Sequence, residues 1–297
     1  MWTVDCVAPT SCLLGSGPIW SPTEGLLWWV DLKRAKLHRY NPKTGNTRRY
    51  DLPVHASAMV MSKGRLLMVA DREYGFYDPE TEDYARLGKI ADEPVGNRTN
   101  DGGISPDGSF WFATMDNGEK LERSRYLRLD PASSTCHVLP FKPVRVPNSI
   151  VFSPDGSKFY TCDTAGQTIL SYDRAPTTGA LSNPSVFAET ITAGCYPGGS
   201  AIDAEGGLWN AQWAGSRLVR YLPDGKIDQV VDLPVSRPTA CAFGGDDMKT
   251  LFITTARQGL SEAAMNRQPL AGCLFAIRVS TPGLALGEWG EGATGSN

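Results

Sequence analysis

Short apolar stretches, each preceded by a polar turn, recur along the chain. The six copies read SPTEGLLWWVD, MSKGRLLMVAD, SPDGSFWFATM, SPDGSKFYTCD, DAEGGLWNAQW and GGDDMKTLFITT. Their central residues lie 39 to 49 positions apart, and they are Trp28, Leu67, Trp111, Tyr160, Trp209 and Phe252. Repeats of about 40 to 50 residues built from short strands are typical of β-propeller blades.

The rest of each repeat also predicts strands. Segments such as KLHRYNPKTGNTRRYDL and RLVRYLPDGKIDQVVDL alternate apolar and polar residues around a turn, which indicates hairpins. One short helix is expected within residues 259–268. The N-terminal WTVDCV is expected to close the ring against GCLFAIRVS near the other end, which hides a sheet edge. We therefore predict an all-β, six-bladed propeller over residues 1–285, rather than a sandwich or solenoid, with a disordered tail at 286–297.

Charge and composition narrow the function classes. The 29 basic and 32 acidic residues give a net charge of −3 without a block of like charges, which argues against nucleic-acid binding. No apolar run reaches the roughly 18 residues of a membrane helix, and the N-terminus does not resemble a signal peptide. Seven irregularly spaced cysteines suit a reducing compartment. We expect a cytoplasmic protein whose partner is a small molecule, with no nucleic acid and no membrane.

The residues at the start of each innermost strand are the candidates for a binding site. Blades are related by rotation about a central channel, so these positions should meet at one mouth of that channel, where a concave pocket can form. The residues found there are Ser16, His55, Asn100 with Asp101, Asn148, Gly198 and Thr239.

Several motifs together resemble the senescence-marker-protein/gluconolactonase family, which includes regucalcin and the sugar-acid lactonases. The resemblance covers about residues 11 to 279. It rests on GPIW, NRTNDGGISPDGSFWFATM, VPNSIVFSPDGSKFYTCDT, AIDAEGGLWNAQWAGSRLVRYLPDG and FITTARQGLS. Membership implies a six-bladed propeller, lactone chemistry and one divalent cation at the channel mouth.

The resemblance also implies roles for individual positions. Asn148 matches a metal-binding asparagine, and Arg98 with Asn100 matches the pair that holds the sugar. Asp101 matches the acidic residue beside that pair, and Glu119 is similar to a glutamate of the lid. The other two metal positions are substituted, because Ser16 stands in place of a glutamate and Gly198 in place of an aspartate.

Loss of two carboxylates weakens the site for a hard cation, which needs several oxygen ligands that carry charge. We therefore expect no tightly bound cofactor, while weak binding of Mg²⁺, Ca²⁺ or Zn²⁺ at Asn148 stays open. The first hypothesis is metal-independent acid–base chemistry on a small cyclic metabolite, by ring opening or closure, elimination or isomerisation. Its catalytic residues would be His55, Asp101 and Arg98.

In that hypothesis the substrate would be bound by Arg98, Asn100, Asn148, Ser16 and Glu119. One alternative is an aldonolactonase with a rebuilt metal site or direct attack by water, and another is a non-catalytic binding propeller. Structural interpretations also stand beside these roles. His55 could simply bond to backbone in a loop, Asp101 could cap nearby amides, and Asn148 could hold its own loop.

Overall fold

Six four-stranded antiparallel sheets form the molecule, and they are the six blades predicted from the repeats. The computed structural model describes residues 2–190 and 194–291. The sheets pack against their neighbours in a ring, with the innermost strand of each sheet beside the innermost strands of the adjacent sheets. The prediction of an all-β, six-bladed propeller is confirmed.

Each of the first three blades runs outward in chain order from the central channel. Their strands are β2 (Gly15–Ser21), β3 (Leu26–Asp31), β4 (Lys36–Tyr40) and β5 (Thr47–Asp51) in blade 1; β6 (Ala56–Ser62), β7 (Arg65–Ala70), β8 (Glu73–Asp78) and β9 (Asp83–Lys89) in blade 2; and β10 (Asn97–Ile104), β11 (Phe110–Asp116), β12 (Arg125–Leu129) and β13 (Cys136–Leu139) in blade 3.

Blades 4 and 5 repeat this order, whereas blade 6 takes its outermost strand from the other end of the chain. Their strands are β14 (Pro147–Phe152), β15 (Lys158–Asp163), β16 (Thr168–Arg174) and β17 (Leu181–Glu189) in blade 4; β18 (Tyr196–Ile202), β19 (Leu208–Trp213), β20 (Arg217–Tyr221) and β21 (Ile227–Asp232) in blade 5; and β22 (Pro238–Gly244), β23 (Thr250–Thr255), β24 (Leu274–Arg278) and β1 (Asp5–Ala8) in blade 6.

The ring closes by pairing its first strand with its last. β1 is antiparallel to β24, with Cys6 opposite Phe275. This is the closure expected from the two terminal segments, and it covers an edge that would otherwise offer unpaired backbone groups to other chains.

The core lies between the blades because the second strand of each blade is apolar on both faces. All six central residues of the repeats are buried, and none is more than 4% exposed. Outermost strands such as β9 and β21 are mostly exposed. Aromatic rings join neighbouring blades, for example Trp20 of blade 1 and Phe252 of blade 6, which stack 6.0 Å apart. Burial on both faces therefore fixes the radial position of each strand.

A β-bulge interrupts every innermost strand near its start. Such a bulge leaves one or two residues unpaired and turns their side chains away from the regular alternation. In each blade the register with the second strand shifts at the same level, and the shifts fall between Ser16 and Ile19, Ala56 and Ala58, Thr99 and Gly102, Asn148 and Val151, Pro197 and Ser200, and Pro238 and Ala240. These six bulges surround one end of the channel.

Three further observations complete the description of the fold. The short helix expected within 259–268 is α1 (Glu262–Arg267), which is capped by the Ser261 side chain. All seven cysteines lie in the described residues, and each is a free thiol. In the part of the chain that the structure describes, no helix is long and apolar enough to span a bilayer.

The segment after β24 returns across the end of the channel opposite the bulges. Trp289 donates its backbone N–H to the Met61 carbonyl at 2.8 Å, and Gly290 donates to the Gly108 carbonyl at 3.0 Å. The Trp289 ring packs edge-on against Phe76. Residues 286–291 belong to the expected disordered tail but make these ordered contacts, and residues 292–297 lie outside the described residues.

Candidate functional site

A cavity of about 290 Å³ opens at the bulged ends of the innermost strands. Residues from at least five blades or from the loops between them contribute to its walls. The described residues that line it are Leu14, Ser16, Arg98, Asn100, Glu119, Arg145, Val146, Asn148, Thr164, Ala165, Tyr196, Gly198, Trp213, Thr239 and Gln258. Most of the candidate residues predicted from the sequence therefore share one pocket, which is called the mouth pocket below.

Arg98 is the most buried charged side chain of the mouth pocket, with 9% of that side chain exposed. Its Nη1 donates to the Thr99 carbonyl and to Asn100 Oδ1, both at 2.8 Å, and its Nε donates to Asn117 Oδ1 at 3.2 Å. Burial lowers the pKa of Arg98, while the negative charge of Glu119 acts in the opposite direction. The guanidinium stays a cation, because even a lowered arginine pKa lies far above neutrality.

Asn100 connects Arg98 to a chain of hydrogen bonds around the mouth. Its Nδ2 donates to the Pro147 carbonyl at 2.8 Å and to Asn148 Oδ1 at 3.0 Å. Asn148 Nδ2 then donates to Thr164 Oγ1 at 2.7 Å, and Thr164 donates to the Pro197 carbonyl at 2.6 Å. Every amide hydrogen of Asn100 is used, so this residue positions Arg98 and Asn148.

Glu119 lies opposite Arg98 on the turn that follows β11. Its Oε1 is 3.9 Å from Arg98 Nη2, and 44% of the Glu119 side chain is exposed. The residue has a φ of +58°, an uncommon conformation for a residue other than glycine, asparagine or aspartate. Such backbone strain is often found at functional sites. Its carboxylate combines access to solvent with contact to a buried cation.

Ser16 occupies the bulge of β2 between two glycines. Gly17 has a φ of +55°, and a Cβ at this residue would lie 2.9 Å from the Ser57 carbonyl oxygen. Glycine alone fits this bend without strain or collision. The bend places Ser16 in the wall of the mouth pocket, where its hydroxyl is a neutral donor and acceptor.

Gly198 occupies the corresponding bulge of β18. A Cβ built here would lie 2.5 Å from the carbonyl oxygen of Thr239 in the next blade. Any side chain at this position therefore requires the backbone of one of the two blades to move. The Gly198 carbonyl accepts a hydrogen bond from Asn210 Nδ2 at 2.9 Å. The position provides neither a side chain nor an uncommitted carbonyl.

The family resemblance places a divalent cation at three positions, Ser16, Asn148 and Gly198. The oxygen atoms at these positions do not fit such a cation. Calcium and magnesium need several oxygen ligands, mainly carboxylates, and these positions contain none. Asn148 Oδ1 is bonded to Asn100 instead. Within residues 2–190 and 194–291, no three His, Cys, Asp or Glu side chains are grouped as metal ligands.

The structure places His55 outside the lining of the mouth pocket. It lies just before β6 and is exposed, and its Nδ1 is 2.9 Å from the Leu32 carbonyl. The residue in the bulge of this blade is Ser57, which donates to Thr99 Oγ1 at 2.8 Å. The expectation that His55 meets Arg98 at the mouth is thus corrected, because the bulge lies two residues further along the chain.

Asp101 is also separated from Arg98 and Asn100. It lines a second cavity of about 370 Å³ on the opposite side of the bulges, whose walls include Trp20, Phe243 and the returning C-terminal segment. Its carboxylate accepts the backbone N–H groups of Gly102 at 2.9 Å and Ser149 at 2.6 Å. Burial raises the pKa of Asp101, and these amides oppose the rise. These contacts match the interpretation of Asp101 as a cap for nearby amides.

Four polar residues of the mouth pocket had not been singled out from the sequence: Arg145, Thr164, Tyr196 and Gln258. Gln258 follows β23, and its Oε1 is buried without a hydrogen-bond partner among the described residues. The signal available in the sequence was its place in FITTARQGLS, one of the family-like motifs. Trp213 also lines the pocket, and its ring faces the Arg237 guanidinium at 4.9 Å.

The fold is a six-bladed propeller with a concave pocket, lined by polar and charged side chains, at the bulged end of its channel. The chain belongs to the family described as SMP-30/Gluconolactonase/LRE-like region, whose sequence profile matches residues 14–257.

Similar proteins include enzymes that act on lactones. The chain is 35% identical to a 6-deoxy-6-sulfogluconolactonase of Pseudomonas putida, over 95% of this chain and 97% of that protein. It is 34% identical to an L-arabinolactonase of Azospirillum brasilense, over 95% of this chain and 94% of that protein. A solved regucalcin from Agrobacterium tumefaciens, described as a calcium-binding protein, superposes with a TM-score of 0.92 at 28% identity and 97% coverage of both chains.

Proposed function

We propose that this chain hydrolyses a small sugar lactone in the mouth pocket, by attack of water and without a tightly bound divalent cation. The observation that carries the proposal is the hydrogen-bonded series from Arg98 through Asn100 to Asn148. It holds a buried guanidinium in place at a pocket that provides no carboxylate ligands at the cation positions.

The similarity to two lactonases extends over nearly the whole of this chain. It favours lactone hydrolysis over the ring closure, elimination or isomerisation of the first hypothesis. That hypothesis also needs His55 and Asp101 beside Arg98, whereas neither residue lines the mouth pocket. A cytoplasmic location and a small-molecule partner are parts of the same proposal.

Arg98 and Glu119 have complementary positions for the reaction. A water oxygen attacks the lactone carbonyl carbon, and Glu119 accepts the proton that this water loses. Negative charge develops on the carbonyl oxygen, where Arg98 Nη2 can donate to it. The bond between the carbonyl carbon and the ring oxygen then breaks, and Glu119 returns the proton to that ring oxygen. The product is an open-chain hydroxy acid.

The test is hydrolysis of a panel of aldonolactones by purified protein, with and without a chelator, beside a measurement of its metal content. Buffer blanks are needed because lactones also hydrolyse spontaneously. Chelator-resistant hydrolysis with less than stoichiometric metal is the expected result. Chelator-sensitive hydrolysis with one bound ion would show that the metal site has been rebuilt, and absence of hydrolysis throughout would favour a non-catalytic binding propeller.

A pair of arginine variants links activity to the mouth pocket. Arg98→Gln removes the guanidinium and should lower kcat/KM by about 100-fold or more, the usual effect of losing a donor to the developing oxyanion. Arg48→Gln is the matched control, since Arg48 of the outer strand β5 forms an exposed ion pair with Glu82, in the turn before β9. Equal activity of both variants would exclude the role given to Arg98.

A further inference from the structure

The mouth pocket carries more positive than negative charge. Among the described residues that line it, Arg98 and Arg145 are cations and Glu119 is the one carboxylate. Lys33 lies beside them, with its Nζ 3.4 Å from the same Asn117 Oδ1 that accepts from Arg98. Burial and then the nearby charge of Arg98 lower the pKa of Lys33. Such a surplus of cations favours an anionic ligand.

The guanidinium of Arg98 retains unused capacity for an acceptor. Its Nε and Nη1 are fully committed, but Nη2 has no hydrogen-bond partner among the described residues, since Glu119 is 3.9 Å away. In the proposed hydrolysis this nitrogen faces the lactone carbonyl. Arg98 therefore accounts for the reacting end of the substrate, and the remaining cations are available for another part of it.

Arg145 is the cation best placed to bind that other part. It precedes β14 and lines the same pocket from the neighbouring blade. Among the described residues its ion pair is with Glu122, at 3.7 Å between Nη2 and Oε1, and both side chains are exposed to solvent, by 44% and 64%. Exposed pairs of this length contribute little free energy. The Arg145 guanidinium can therefore exchange Glu122 for an anion on a ligand.

The substituted positions strengthen the same preference. The resemblance places carboxylates at Ser16 and Gly198, and this chain has a hydroxyl and a bare backbone there. Without them, no negative charge from these bulges repels an anion that enters the mouth.

We propose that the lactone taken by this pocket bears an anionic group, such as a phosphate, sulfonate or carboxylate, and that Arg145 binds it. This inference rests on the proposed function and names the substrate class of the same site.

The experiment compares two lactones with the same ring, D-glucono-1,5-lactone and 6-phospho-D-glucono-1,5-lactone. We expect kcat/KM to be at least about tenfold higher for the phosphorylated lactone. A tenfold ratio corresponds to about 1.4 kcal/mol of additional transition-state stabilisation. The ratio should fall as the salt concentration rises from about 0.01 M to about 1 M, because salt screens exposed charges. Arg145→Gln should bring the ratio close to one. The exposed neighbour Lys142, which does not line the pocket, supplies the control Lys142→Gln, which should leave the ratio unchanged.

The outcomes separate the two proposals. Equal or better hydrolysis of the neutral lactone would overturn the anion preference and leave lactone hydrolysis intact. If neither lactone is hydrolysed, the proposed function fails. Binding of inorganic phosphate then tests whether Arg145 forms an anion site. A rise in melting temperature with phosphate that Arg145→Gln abolishes would then support the site, and identical behaviour of the two proteins would overturn it.

Discussion

Asn100 offers the most direct test of how the mouth pocket is held together. Asn100→Ala removes one hydrogen bond accepted from Arg98 and two donated, to the Pro147 carbonyl and to Asn148 Oδ1. A hydrogen bond between neutral groups contributes about 1 kcal/mol, and one to a charged group about 1.5–3 kcal/mol. Water that enters the open pocket will form hydrogen bonds that replace part of the lost energy. The expected loss is about 2 kcal/mol of unfolding free energy, or roughly 3 °C in melting temperature.

The same change should affect activity, because Arg98 loses the contact that fixes its Nη1. If the displaced guanidinium costs about 2 kcal/mol of transition-state stabilisation, kcat/KM falls about 30-fold. Thermal melting and lactone hydrolysis measure the two effects on one preparation. Asn46→Ala, in an exposed turn between β4 and β5, is the matched control and should alter neither. A melting temperature within about 1 °C of wild type together with unchanged kcat/KM would refute the role of this hydrogen-bonded series.

Three other changes give separate expectations. Glu119→Gln should lower kcat by about 10²–10⁴ with little loss of stability, because it removes an exposed general base; unchanged kcat would remove Glu119 from the mechanism. Ser16→Glu combined with Gly198→Asp should lower the melting temperature, because a Cβ at residue 198 would lie 2.5 Å from the Thr239 carbonyl oxygen. For the same reason, calorimetry should detect no tight binding of Mn²⁺ to the double variant. Tight binding would show that the backbones of the two blades can move apart at little cost. Burial lowers the pKa of His38 to about 4, below the value of roughly 6.5 for histidine in an unfolded chain. Between these two pH values the unfolded state therefore binds more protons than the folded state. The free energy of unfolding should fall by up to about 3 kcal/mol as the pH is lowered from 6.5 to 4. Urea unfolding at several pH values measures this, and His38→Phe should flatten the dependence.

The blades were predictable from the sequence because each repeat contains its own turn and buried strand. Trp28, Trp111 and Trp209 recur in equivalent surroundings, so the period could be read from the chain and is confirmed by their burial. The closing pair of β1 and β24 was predictable for a related reason, since an otherwise unpaired strand remained at each end.

The direction of individual side chains at the mouth was less predictable. Asn100 and Asp101 are adjacent, yet one lines the mouth pocket and the other the opposite cavity, because the bulge between Thr99 and Gly102 leaves both unpaired on a strand whose side chains alternate. Gln258 joins the pocket from a loop far from Asn100 in sequence. Such contacts depend on how blades meet, which no local pattern encodes.

The pairing of β1 with β24 also has a consequence for the order of events during synthesis. More than 260 residues separate Ala8 from Leu274, the two ends of this pairing. At the usual rate of about 5–20 residues per second, the first strand leaves the ribosome roughly 15–50 s before its partner exists. Before β24 emerges, blades 1 to 5 already have all their own strands, whereas blade 6 cannot yet be completed. The ring therefore closes only after β24 has emerged, although its closing strand β1 precedes every other strand of the six blades.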